Sequence, residues 1–265
     1  ALTHKFKSKK VRMAAAVSTL VVSIFYLIPQ MVGAGVITRP LIGLEYEIGV
    51  IIVGTVVILI VATAGMVSTT WVQFIKGFLL LIAALALTIG VLVVANQGPL
   101  DFISSFVNNP EIHVPTMSGI DKTYPGTVFM APGLKFGNPL DYASLALALI
   151  LGTAALPHIL IRYYTVPKPS DARKSTVVAI VAIGIFYILT LYLGLGATYF
   201  YNLDPLSGTL DPTDVNLAAP LLAFHVGGEA FFAIISSIAF ATILGTVSGL
   251  IMASAGAIAH DIYTE

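Results

Sequence analysis

Residues 142–163 read YASLALALILGTAALPHILIRY, a long apolar run with a polar interruption. Gly152 and Thr153 sit in its middle, and Pro157 and His158 follow closely. In lipid a helix must satisfy its own backbone, because no water is there to do it. A Gly-Thr step followed by Pro weakens that ladder. Such breaks are tolerated where the loosened backbone lines a cavity enclosed by protein. His158 and Arg162 stand four residues apart, so they share a helix face. An imidazole there could carry a proton near neutral pH or serve only as a hydrogen-bonding group. A second set of oxygen donors lies in FFAIISSIAFATILGTVSGLIMASAGAIAHDIY at 231–263: Ser236, Ser237, Thr242, Thr246, Ser248 and Ser254, with Gly245 among them. Hydroxyls and exposed carbonyls are hard donors suited to an alkali cation, while the same small residues also suit close helix packing. Gln30, after Pro29 in YLIPQMVGAG, fits an interhelical hydrogen bond as well as a contact to a solute. Gly33 and Gly35 read as close-packing positions.

Other chemistries find no residues. There are no cysteines, so disulfides, thiolate metal sites and cysteine nucleophiles are excluded. No phosphate-binding glycine loop, no H-E-x-x-H, no G-x-S-x-G and no carboxylate pair occurs in an apolar run, so an enzyme is not expected. His113 and His225 lie in polar connections without metal-ligand spacing, and no metal site is expected. The formal net charge is zero, which gives no hint of nucleic acid.

The elements that must position these residues are membrane spans. Of the 265 residues 57% are hydrophobic and 10% charged, with mean hydropathy +0.96; a soluble domain carries about 25% charged residues. Six runs are long enough to cross a bilayer, which takes about 20 apolar residues: 13–35, 48–66, 74–95, 141–161, 176–200 and 230–258. The fold class is an all-α polytopic membrane protein, one transmembrane domain over 1–265. The second run is the shortest; laid in the interface instead, it would leave an odd number of spans. A turn is expected between the second and third runs, where Ser68, Thr69 and Thr70 can cap the next helix. Trp71 there has the character of an interfacial anchor, and Lys76 can snorkel outward. Segments 96–140 and 201–229 are the long polar connections, with turn signals at Asn108-Asn109-Pro110 and Tyr124-Pro125-Gly126.

With the N-terminus in the cytoplasm, ten of the thirteen Lys and Arg fall inside (Lys5, Lys7, Lys9, Lys10, Arg12, Lys76, Arg162, Lys168, Arg173, Lys174) and three outside (Arg39, Lys122, Lys135). Lys and Arg set orientation, so both ends are expected in the cytoplasm and the two long connections outside. The chain opens ALTHKFKSKKVR without Met and stops at HDIYTE. It reads as an internal piece of a longer protein.

Five stretches together resemble the sodium:solute symporter family, in particular its cation/acetate (monocarboxylate) branch. They are YLIPQMVGAG at 26–35, AGMVSTTWVQFIKGFLLL at 64–81, GTAALPHILIRYYTVPKPSDARKS at 152–175, FYILTLYLGLGA at 186–197 and AFATILGTVSGLIMASAGAIAHDIY at 239–263. The resemblance implies a leucine-transporter-type fold of two inverted five-helix repeats. The six spans would be core helices three to eight, and the remaining helices would lie outside this chain. It implies a sodium site whose ligands match Thr242, Gly245 and Thr246, with Thr246 as side-chain ligand and Thr242 as carbonyl ligand. Gly245 departs from the family's usual hydroxyl, which opens H+ as an alternative to Na+. Trp71-Val72-Gln73…Lys76 departs from the family's common Trp-Thr-Asp…Gln. At span four, small Gly152, Thr153 and Ala154 stand where sugar carriers have large polar and aromatic residues, so a small anion fits better than a sugar.

The implied function is secondary active transport by alternating access in a bacterial cytoplasmic membrane. A short monocarboxylate such as acetate would enter with Na+, with no other cofactor. Gly152, Thr153 and Ala154 would meet the solute, and Gln30, Pro157, His158 and Arg162 would serve structure or gating. Loosened N–H groups over 152–156 would suit a carboxylate. The alternatives are a symporter-like sensory module of a histidine kinase, or a symporter for another small solute such as proline.

Overall fold

The computed structural model describes residues 8–114, 122–160, 166, 168–203 and 215–263, with backbone alone at 64–70, 155, 157, 158, 215 and 260–262. Helices dominate. Helix α1 runs Lys9–Ile42 and ends at Gly43, whose φ of 73° lets its N–H close on the Arg39 carbonyl at 3.0 Å. Pro29 and Pro40 lie inside it, each removing one ladder bond. Helix α2 runs Tyr46–Ala95 without a break.

The turn expected over 67–73 is therefore helical in its backbone. No proline and no glycine pair lies there to open the ladder, and hydroxyl residues alone do not end a helix. Straight, the 50 residues of α2 would span about 75 Å, over twice a hydrocarbon core. Its two apolar windows, Tyr46–Thr63 and Trp71–Ala95, are each long enough to cross.

Beyond α2 come α3 (Pro99–Val107), strands β1 (Ile112–Val114) and β2 (Lys122–Tyr124), and the short α4 (Gly126–Phe129). The strands pair antiparallel with His113 opposite Thr123. Helix α5 (Pro139–Ala155) begins on Asn138, whose Oδ1 accepts the Leu140 N–H at 3.0 Å, with Pro139 at its first position. Leu156 is not helical, and α6 restarts at Pro157–Leu160. Helix α7 is Pro169–Leu203. A 3-10 turn, Val215–Leu217, leads into α8, Ala218–Gly256, and a π-helical turn, Ala257–Tyr263, follows. Helix α8 is kinked at Gly227 and at Gly228, where φ 67° and ψ −161° belong to a region only glycine occupies readily.

Among the described residues, five helical segments are long and apolar enough to cross a membrane: Lys9–Ile42, Tyr46–Thr63, Trp71–Ala95, Pro169–Leu203 and Ala218–Ala259. The fourth expected span, 141–161, is represented by the 17-residue α5 and, past Leu156, by α6.

The described chain divides into two compact units. One holds Ala1–Lys76, Leu151–Ser175 and Phe240–Glu265. Its core is Ala34 of α1, Val53 and Val57 of α2, and Val247 of α8. Gly35 is a close-packing position: a Cβ there would meet the Tyr46 ring at 2.6 Å. The π-helical turn packs on α1.

The other unit holds Gly77–Ile150 and Thr176–Ala239. Its core joins Leu87 and Val91 of α2, Phe102 and Phe106 of α3, Ile112 of β1, Leu195 and Phe200 of α7, and Leu222 and Ala223 of α8. Both polar connections thus feed core residues as well as surface. Phe102 and Phe106, one turn apart, put a full aromatic face inward from the first. Leu221, Leu222 and Ala223 bury an aliphatic face from the second, where 218–226 is helical up to the kink. These segments shed water by burying that face.

Candidate functional site

The oxygen donors of the last span come together with two side chains of α2, all within the first unit. Gly245 and Thr246 follow Thr242 by one turn of α8. The Thr246 hydroxyl donates to the Thr242 carbonyl at 3.0 Å. Lys76 Nζ donates to the same carbonyl at 2.8 Å. Three residues earlier on α2, Gln73 Nε2 donates to the Gly245 carbonyl at 2.8 Å. The spacing is the cause: positions 73 and 76 share one face of α2, and 242 and 245 share one face of α8, each a three-residue step. Two donors from one helix therefore meet two carbonyls of the other.

Gly245 is what lets them approach. A Cβ at 245 would stand 2.6 Å from Lys76 Nζ, 3.5 Å from its Cε and 3.6 Å from Gln73 Cγ. The absent side chain leaves the volume that the ammonium fills. Lys76 does not snorkel outward; its head is turned to α8. The anchor reading of Trp71 meets an exposed indole, 65% accessible, packed edge-on against Phe74 at 6.2 Å. The side chains of Ser68, Thr69 and Thr70 lie outside the described residues.

Gly152, Thr153 and Ala154 are exposed on α5 and contribute nothing to a buried core. A Cβ at Gly152 would meet open space. The break is narrower than expected: helix persists through Ala155, and only Leu156 lies outside it. Of the stretch 152–156 expected to be loosened, only Leu156 leaves the helix, because proline disfavours helix in the residue just before it; Pro157 also supplies no N–H to the carbonyl of Thr153. Pro157 starts the next helix, as expected. The side chains of Pro157 and His158, and all of Arg162, lie outside the described residues. Gln30 is half-buried on α1, directly after Pro29. Ser236 is fully buried, and its Oγ has no partner among the described residues. Ser248, also buried, bonds back to the Leu244 carbonyl at 2.7 Å, which is a packing role. His225 stacks on Phe200 at 5.5 Å. Among the described residues no cluster of His, Asp and Glu could hold a metal ion.

Gln73 and Lys76 are the two residues of this site that the sequence does not assign to it. The signal was present as two separate departures from the family pattern, one at Gln73 and Lys76 and one at Gly245. Only the fold brings them into contact.

Five helical segments this long and apolar, among the described residues, mark a multi-pass membrane protein. The family model for the sodium:solute symporter family matches residues 1–265, and the chain belongs to that family. Its members are transporters and not enzymes. A Bacillus subtilis (strain 168) protein named "Uncharacterized symporter YwcA" is 44% identical over 264 residues, 100% of this chain and 48% of that protein. A Corynebacterium glutamicum (strain ATCC 13032) protein named "Monocarboxylic acid transporter" is 43% identical over 270 residues, 99% of this chain and 48% of that protein. The chain spans about half the length of these relatives. No solved structure matches it.

Proposed function

We propose that this chain forms the central part of a symporter that takes up a short monocarboxylate, such as acetate, together with Na+. The observation that carries the reading is the 43% identity, over 99% of the chain, to a protein named as a monocarboxylic acid transporter. The oxygen-rich turn Thr242–Thr246 supports a cation role, and H+ is the other coupling ion to weigh. Small, exposed Gly152, Thr153 and Ala154 support a compact solute. In this reading the spans are core helices three to eight of a leucine-transporter-type fold, and the other helices lie outside this chain. The protein sits in a bacterial cytoplasmic membrane with both ends of the chain inside. The cation at Thr246 stabilises the outward-open state, and the solute then commits the switch to the other face.

The test is uptake of radiolabelled acetate by the full-length protein in proteoliposomes under imposed Na+ or H+ gradients. Competition by propionate, pyruvate and proline sets the solute class. An inward Na+ gradient is expected to drive acetate accumulation, with propionate competing and proline not. Accumulation driven by an H+ gradient alone would move the coupling to protons. Competition by proline alone would overturn the carboxylate.

A further inference from the structure

We propose that Lys76 is a tethered competitor for the coupling cation: its ammonium, lodged where Gly245 has no side chain, occupies the Thr242 carbonyl that the ion would use. The inference rests on the cation role proposed for the turn Thr242–Thr246 and adds a residue that sets its affinity.

Three observations meet at one point. Lys76 Nζ lies 2.8 Å from the Thr242 carbonyl oxygen. Gln73 Nε2 lies 2.8 Å from the Gly245 carbonyl oxygen, holding the neighbouring face of the same turn. A Cβ on residue 245 would come within 2.6 Å of that ammonium. A side chain at 245 and the lysine head therefore claim the same space. Replacing a hydroxyl residue by glycine removes an oxygen donor from the turn and makes room for a positive charge in one step.

An ammonium and an alkali cation make the same demand on a carbonyl. Both carry one positive charge, and both are stabilised by the negative end of its dipole. Like charges at contact distance in a partly dehydrated site repel strongly. The carbonyl also accepts the Thr246 hydroxyl at 3.0 Å, so its lone pairs are already committed. An entering ion must displace the ammonium. The lysine is attached to the protein, so it competes as an intramolecular ligand at a fixed effective concentration.

A lysine that only ties α2 to α8 would behave differently. Removing it would loosen the helices and leave cation affinity unchanged or weaker. Removing a competitor raises that affinity. The experiment is 22Na+ binding to the purified full-length protein, without any carboxylate, for the wild type, Lys76→Gln, Lys76→Met and Lys76→Arg. Lys76→Gln and Lys76→Met are expected to bind Na+ at least 10-fold more tightly, and Lys76→Arg no more tightly than the wild type. Gly245→Ser, which restores a hydroxyl and whose Cβ claims the space of the ammonium, is expected to tighten binding less in the Lys76→Gln background than alone, a non-additivity that reports direct contact. If the Lys76 variants do not give monodisperse protein, Gly245→Ala keeps the lysine and pushes its head off the carbonyl. Tighter Na+ binding by that variant is then the expected result. Unchanged, weaker or absent Na+ binding in the folded variants overturns the proposal. Wild-type acetate uptake is measured separately. Its failure with tightened Na+ binding in the variants removes only the solute, and its success with unchanged binding removes only the competitor.

Discussion

Asn202 closes the open edge of the small β-hairpin through a single residue, His113. Its Oδ1 accepts the His113 N–H at 2.8 Å and its Nδ2 donates to the His113 carbonyl at 2.9 Å. The amide thus replaces the next strand of a sheet, satisfying both backbone groups of a residue whose cross-strand partner is Thr123. Asn202→Ala leaves both groups to water. The amide also donates to the Thr198 carbonyl at 2.8 Å, so the expected loss is about 1–3 kcal/mol, three neutral hydrogen bonds at exposed positions. A thermal-shift measurement in detergent reads it as a fall in Tm, with Asn202→Asp intermediate or worse because it keeps an acceptor and loses the donor.

Gly126 is fixed by its neighbours. It starts α4, and its N–H donates to the Asn109 carbonyl at 2.8 Å. A Cβ there would overlap the Phe106 carbonyl oxygen and crowd that of Val107 at 2.8 Å. These are backbone atoms and cannot swing aside. Gly126→Ala is expected to destabilise the second unit by about 2–4 kcal/mol, in the upper range for single changes. Size-exclusion profiles of a fluorescent fusion should show the loss of the monodisperse peak, whereas Gly152→Ala, which adds its Cβ to open space, should leave it intact.

Thr246→Ala removes the hydroxyl that donates to the Thr242 carbonyl. If the turn holds the coupling ion, the Na+ concentration for half-maximal uptake rises about 10-fold, or ~1.4 kcal/mol. Thr246→Ser restores it. Unchanged Na+ dependence in the alanine variant would take Thr246 out of the ion site.

Thr153→Val keeps the shape of the α5 surface and deletes a hydroxyl. It is expected to raise the KM for acetate several-fold at unchanged surface expression. Wild-type kinetics would show that the solute is met elsewhere.

Much of the fold was legible because lipid leaves few choices. The apolar runs, the restart at Pro157 and the turn at Asn108–Pro110 follow from local chemistry, since proline and asparagine act on their immediate neighbours; Tyr124-Pro125-Gly126, read as a turn, is instead where β2 ends and α4 begins. Helix through 67–73 was missed because Ser, Thr and Thr read as caps, while nothing there obliges the ladder to open. The burial of Phe102 and Phe106 was available in PLDFISSFV, where Pro sits at the first helical turn and two aromatics stand four apart; the polar setting of the connection masked it. The direction of Lys76 was not legible at all. Snorkelling is a property of one helix in lipid, whereas its partner is 166 residues away along the chain. A long-range pairing of a cation with a carbonyl leaves no periodicity behind. The glycine opposite it was visible only as a missing hydroxyl.

The kink at Gly227 and Gly228 has a consequence for which sequences this helix tolerates. It interrupts the apolar stretch Ala218–Ala259 at a backbone conformation, φ 67° and ψ −161° at Gly228, that a side chain enters only at a cost. A larger residue at 228 would favour a straight helix. Straightening would pull Leu222 and Ala223 off the core they share with Leu87 and Val91.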